Sequence, residues 1–297
     1  MTSSSNSSKQ QRPPPSRRDF SSTTVRHDKK RQREPLPPPP SSSSSSTNPN
    51  RPTHFLALPI GHHVELRNAV DSLTSSWLAH EPPIDGLDPS IVINPRRLHL
   101  TLGAIALNTT TTAAPSSTSG AAPYDDPRGP LDLTAATELL VSLAPRIRGL
   151  LAHHPLRVSL GRLAIMQPDP TRAHVLYAEP DVHSTDGIRL RAVCELVHSA
   201  FKQAGFLTDA RRPLKLHCTI LNTTYRRPSP GQRRPPGRIP FSFATFPPDS
   251  KDGGTLSNLG TWTVDEVQIC KMGSWAPDGA YVRVAGCDLR SMSIGLD

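Results

Sequence analysis

Two short segments of the 297-residue chain carry residue types suited to acid–base chemistry at neutral pH: Leu98-His99-Leu100-Thr101-Leu102 and Leu216-His217-Cys218-Thr219-Ile220. In each, a histidine and a threonine stand two apart inside an apolar run. Residues i and i+2 of a strand share a face. His99 and Thr101 then lie opposite Leu98, Leu100 and Leu102, and His217 and Thr219 lie opposite Leu216, Cys218 and Ile220. Each strand would bury its apolar face and present an imidazole beside a hydroxyl. Imidazole titrates near neutrality, so two of them facing one cleft supply a general base and a general acid. The hydroxyls of Thr101 and Thr219 suit hydrogen bonding to non-bridging phosphate oxygens. Together these features describe acid–base phosphoryl transfer. No cofactor is expected and no metal site either, because two histidines without a neighbouring Cys, Asp or Glu ligand pattern make a poor zinc set.

Tyr225 and Arg226 follow the second motif and read as substrate-binding residues on the cleft wall. Arg96 and Arg97 precede the first motif; phosphate contact and a solvated turn after Asn94-Pro95 are equally open readings. A third His-x-Thr, His183-Ser184-Thr185, sits between Pro180-Asp181 and Asp186-Gly187 and reads as a turn. His62, His63, His153 and His154 read as surface residues near element ends, and Trp77 as core. The four cysteines, Cys194, Cys218, Cys270 and Cys287, form no CxxC pair, which argues against a zinc ribbon or disulfide scaffold and for reduced thiols. Cys218 faces away from the inferred cleft and reads as packing.

The elements that must position the two motifs alternate. Strand patterns cover residues 53–60, 98–107, 156–166, 173–178 and 214–221, with a final hairpin over 262–272 and 280–285. Helical spacing of Leu66, Val70, Leu73 and Trp77 predicts a helix over 64–79. Residues 131–151 read as a helix that Pro145 kinks or splits. Residues 187–204 read as an amphipathic helix with Leu190, Val193, Leu196, Val197 and Phe201 on one face and Gly205 at its end. This order predicts an α+β, bilobal fold with two mainly antiparallel sheets and flanking helices around a central cleft, rather than a doubly wound parallel sheet.

Composition places the remaining segments. Residues 1–51 are rich in Ser, Pro and Arg and carry +7 of the net +9. They read as a disordered basic tail, because such a composition buries too little apolar surface to offset ordering entropy. Lys29–Arg33 inside it, with Arg17 and Arg18 upstream, resembles a nuclear localisation signal; a solvated charge run is the plainer reading. Low-complexity insertions are expected at 108–130, 226–238 and 247–260, and the second holds five arginines and no acidic residue. That leaves a near-neutral core rather than a basic globule, so the charge is no whole-surface nucleic-acid footprint. No apolar run approaches a membrane span, and the N-terminus lacks the apolar core of a secretion signal.

With these residues in view, a family likeness can be stated. The two His-x-Thr motifs resemble the signatures of the two-histidine (2H) phosphoesterase superfamily. Within it, THFLALPI, RRLHLTLGAI and LKLHCTILNT followed by Tyr225-Arg226 resemble the A-kinase anchoring protein phosphoesterase-like domain, over roughly residues 52–288. The resemblance implies a bilobal fold, His99 and His217 as catalytic residues, and Thr101 and Thr219 as substrate-binding residues. It implies a metal-independent phosphodiesterase acting on RNA ends or on cyclic or 2′-linked nucleotides. RNA or a small nucleotide is then the partner, with a nuclear coactivator complex as another, in a monomeric protein of nucleus and cytoplasm. The alternative is a non-catalytic RNA- or nucleotide-binding module of a nuclear transcription or DNA-repair complex. Deleting residues 1–51 is expected to leave the melting temperature nearly unchanged while lowering nuclear accumulation of a tagged chain. Thermal melts and imaging check the two halves separately.

Overall fold

The computed structural model describes residues 51–107, 131–228, 231, 237–248 and 259–290. The expected tail, its basic cluster and the insertion at 108–130 lie outside the described residues, apart from Arg51. So do most of the stretches at 226–238 and 247–260.

Eight antiparallel strands form the sheet: β1 (His54–Pro59), β2 (His99–Ile105), β3 (Arg157–Ile165), β4 (Val175–Pro180), β5 (Cys218–Asn222), β6 (Gly260–Thr263), β7 (Glu266–Trp275) and β8 (Tyr281–Asp288). Their order is β6-β3-β4-β5-β2-β1-β7-β8. Among the described residues four α-helices pack against it: α1 (Val64–Leu78), α2 (Leu133–Ser142), α3 (Ala144–Leu151) and α4 (Thr185–Gln203). The α+β class and the antiparallel pairing are as expected from the sequence. The two expected sheets, however, are halves of one curled sheet, joined edge to edge where β2 meets β5. Among the described residues no helix is long and apolar enough to cross a membrane.

The helices form where apolar spacing and capping agree. Leu66, Val70, Leu73 and Trp77 of α1 are buried, as are Leu190, Val193, Cys194, Val197 and Phe201 of α4. Asp132 caps α2 by accepting from the Ala135 amide at 2.8 Å, and Ser184 caps α4 by accepting from the Gly187 amide at 3.1 Å. The third His-x-Thr is thus the capped start of a helix. Pro145 falls in the first turn of α3, where its missing N–H costs nothing, so the predicted long helix splits into α2 and α3. The strand expected over 262–272 also divides. Thr263 ends β6 at one edge of the sheet, and Glu266 begins β7 in the other half, so only Val264 and Asp265 connect the halves here.

The halves repeat one plan. β1-α1-β2 matches β4-α4-β5, with a four-residue connection from strand to helix in each, 60–63 and 181–184. The register shifts also match. β1 pairs Ala57 with Thr101 but Leu56 with Gly103, leaving Leu102 extra; β4 pairs Tyr177 with Thr219 but Leu176 with Leu221, leaving Ile220 extra. A bulge therefore follows the threonine of both motifs. Leu102 and Ile220 are both buried.

A single pair, Leu100 with Cys218, is the register of β2 against β5, and both side chains are buried in the main core. Leu100→Ala is expected to destabilise the domain by about 2–5 kcal/mol, the range for emptying a fully buried leucine site. The denaturant midpoint should fall with little change in slope.

Candidate active site

The Leu100–Cys218 pair decides what lies on the other face. In an antiparallel ladder centred there, His99 stands across from Thr219 and Thr101 across from His217. These four residues lie on the face opposite the buried pair, and all are partly exposed. The histidines occupy one diagonal of the square and the threonines the other. Diagonal neighbours of this kind are roughly 7 Å apart at Cβ. In keeping with this, His217 acts electrostatically on His99, and Thr101 and His217 line one cavity of about 390 Å³. His99 lines a second cavity of about 350 Å³, together with Arg97, Gln268 and Tyr281.

Both imidazoles are held in the same way. Nδ1–H of His99 donates to the Arg97 carbonyl at 2.6 Å, and Nδ1–H of His217 donates to the Lys215 carbonyl at 2.7 Å. A carbonyl only accepts, so Nδ1 carries the hydrogen in each ring and Nε2 is left as the basic atom. Nε2 of His99 accepts from the Thr101 hydroxyl at 2.9 Å.

The surroundings of the two rings differ. His99 sits against Phe55 and Tyr281, each 5.3 Å away between ring centroids. His217 meets the edge of Tyr177 at 5.6 Å, and the Tyr177 hydroxyl donates to Glu179 at 3.2 Å. Burial pushes the His99 imidazole down to about 4, with His217 adding to the effect. Burial also lowers His217, with the nearby Lys215 ammonium a lesser cause. Cys218 points into the core and burial pushes its thiol up to about 12, which suits packing and not nucleophilic attack.

Tyr225 reaches the His99 side, where its hydroxyl lies 3.5 Å from that of Tyr281. Arg226 is engaged elsewhere: its guanidinium donates to the Gly86 carbonyl and lies 3.9 Å from Asp88. Arg96 lies 3.9 Å from Asp278. Arg97 donates through Nε to the Gly279 carbonyl at 3.0 Å, with its guanidinium 4.7 Å over the Trp275 ring. Sequence reasoning did not single out Phe55, Tyr177, Lys215 or Tyr281. One available signal was a longer repeat, basic-Leu-His-x-Thr, written Arg97-Leu98-His99-Leu100-Thr101 and Lys215-Leu216-His217-Cys218-Thr219.

Comparison with known proteins identifies the family. Residues 52–289 match the family model described as AKAP7 2′5′ RNA ligase-like domain. Activating signal cointegrator 1 complex subunit 1 of Mus musculus is 27% identical over 177 residues, 59% of this chain and 43% of that protein. An uncharacterized protein of Schizosaccharomyces pombe is 27% identical over 176 residues, 58% of this chain and 66% of that protein. The chain thus matches less than two thirds of either relative's length. Among solved structures, Escherichia coli LigT complexed with 3′-AMP aligns with TM-score 0.45 and 15% identity, covering 80% of this chain and 98% of that one. TT0787 of Thermus thermophilus aligns with TM-score 0.43 and 16% identity over 80% and 98%. The chain belongs to the AKAP7 2′5′ RNA ligase-like domain family, within the two-histidine phosphoesterase superfamily.

The depressed His99 value sets a pH dependence of stability. An unfolded histidine takes up its proton near pH 6.5, whereas folded His99 resists until about pH 4. Between those limits the unfolded chain binds more protons, so stability falls as pH falls. His99→Gln is expected to remove up to about 3 kcal/mol of this loss. Denaturant unfolding of both proteins at pH 7 and pH 4.5 measures it.

Proposed function

We propose that the domain is a metal-independent phosphodiesterase acting on RNA ends or on cyclic or 2′-linked nucleotides. The observation that supports this most is the square of His99, Thr219, Thr101 and His217 around one buried pair, with Nε2 left as the basic nitrogen of both rings by matching Nδ1–H bonds. One Nε2 takes the proton of a water or ribose hydroxyl as that oxygen attacks phosphorus. The other imidazole, protonated, gives its proton to the departing oxygen. With substrate bound, the Thr101 hydroxyl turns from Nε2 of His99, and it and the Thr219 hydroxyl donate to the non-bridging oxygens, whose charge grows in the transition state. Tyr225, through Tyr281, borders the substrate on the His99 side.

The two partners differ in readiness for a proton. His99 is the more strongly depressed, so the first proton goes to His217, which makes His217 the acid and His99 the base at the start of the cycle. For a stepwise reaction through a cyclic product, the roles exchange in the second half. We also infer a nuclear pool and membership of a coactivator-type complex. These rest on the basic cluster at 29–33 and on the name of the mouse relative.

The direct test is turnover of 2′,3′-cyclic nucleotides, 2′-5′ oligonucleotides and oligouridine-ended RNA, each with EDTA present. His99→Ala and His217→Ala are each expected to lower the rate roughly 10²–10⁴-fold, and the double variant to lose less than the product of the two. Activity that needs an added divalent ion, or that survives loss of either histidine, rejects the mechanism. RNA binding without turnover moves the assignment to the non-catalytic module. Because both imidazoles sit below their ordinary range, kcat/KM should follow a bell whose maximum lies on the acid side of pH 6.5, read from a rate profile between pH 4 and pH 9.

A further inference from the structure

The repeated five-residue motif places a cation at the same position in both halves, two residues before each histidine. Arg97 and Lys215 each lend a carbonyl to the following imidazole, and each lays its charged head over an aromatic ring of another strand. Arg97 lies 4.7 Å over Trp275 at the end of β7, and the Lys215 ammonium lies 4.8 Å over Tyr177 of β4. A ring under a cation restricts where the long side chain can go without itself taking up an N–H donor, although Nε–H of Arg97 is spent on the Gly279 carbonyl. Both heads lie within the field of the site: Lys215 acts on His217 and Arg97 acts on Tyr281.

The two cations stand at opposite ends of the row. In the register set by Leu100 and Cys218, Arg97 and Lys215 are six residues apart along the strand direction, at most about 20 Å at ~3.3 Å per residue. The histidines and threonines lie between them. A phosphate held between the imidazoles lies between the two cations. A strand with a phosphate on each side of the central one can engage both, since its backbone charges follow one another along the same direction.

We propose that Arg97 and Lys215 anchor the phosphates flanking the scissile one, so that the site takes a single-stranded oligonucleotide laid along β2 and β5 in preference to an isolated mononucleotide. This rests on the phosphodiesterase reading and narrows its substrate class. Lysine and arginine contacts to backbone phosphate are independent of base, so the preference is for length and not for sequence.

The experiment compares a 2′,3′-cyclic mononucleotide with a short single-stranded RNA in the full chain, using Lys215→Met and Arg97→Met, with Lys215→Arg as the charge-preserving control. Each Met variant is expected to lower kcat/KM for the oligomer at least tenfold more than for the cyclic mononucleotide. Each should also reduce the slope of log affinity for the oligomer against log salt by about 0.7. Lys215→Arg should restore the oligomer preference. Equal losses on both substrates overturn the proposal, because the cations then serve the central phosphate. If the wild-type chain turns over neither substrate, the phosphodiesterase reading fails on its own, and the anchors are read from the Kd of the same labelled RNA. A tenfold weakening with the reduced salt slope supports them, and an unchanged Kd overturns them. Lys215 is exposed, so its variant reports even where Arg97→Met, which removes the bond to Gly279, unfolds.

Discussion

One backbone pairing, Leu100 with Cys218, governs the geometry of the domain. It is the joint between two four-stranded halves, and it sits at their local centre of repetition. Both side chains point into the main core, and their burial fixes which face of each strand is left for chemistry. Side-chain direction alternates along a strand, so a slip of one residue on either side would turn His99 or His217 into the core. The face that carries the two histidines and two threonines is therefore specified by apolar packing behind it. An antiparallel pairing of two similar strands also explains why one short motif serves twice: what the first strand presents to its left, the second presents to its right.

Symmetry in the backbone does not extend to the surroundings of the rings. Ala57 of β1 stands beside Thr101, whereas the corresponding partner of Thr219 is Tyr177 of β4. His99 lies in an aromatic corner formed by Phe55 and Tyr281 and hydrogen-bonds to its own threonine. His217 meets one ring edge and a lysine. A general acid and a general base must hold different proton counts at the same pH, and two identical environments would not separate them. The two rings differ here through residues outside the motifs, while their tautomers are set alike by carbonyls two residues upstream.

The sequence made the motifs readable because their pattern is local. A period of two in an apolar run gives the faces of β2 and β5, and a period near 3.6 gives the buried stripes of α1 and α4. What local pattern could not give was anything fixed by pairing across the sheet. Residues 262–272 looked like one strand because Val264 is apolar; the break appears only because β6 and β7 belong to different halves. Tyr281 and Tyr177 lie far from the motifs in sequence and reach them only through β8 and β4. Residues 214–217 have a strand's alternation, yet β5 begins at Cys218, since β2 is paired there at Leu100 alone. Arg226 follows the second motif closely, but the turn after β5 carries it toward Gly86 and Asp88.

The matched bulges show how the fold absorbs the cost of this arrangement. Each inserts one residue, Leu102 or Ile220, directly after the threonine, which bends the strand away beyond the site. A bulged residue leaves the regular ladder, and its buried carbonyl then needs another donor. In one half the Leu102 carbonyl accepts from Nδ1–H of His198 on α4 at 2.7 Å; in the other the Ile220 carbonyl accepts from the Ile93 amide at 2.9 Å. The solutions differ chemically and occupy the same place. His198 is thus a histidine near the site whose ring joins two elements through the backbone. All three imidazoles donate Nδ1–H to a carbonyl. For His99 and His217 that carbonyl lies two residues back on the same chain segment, which turns Nε2 outward over the square. For His198 it lies across the core boundary on another element, and the ring serves as a brace between α4 and β2.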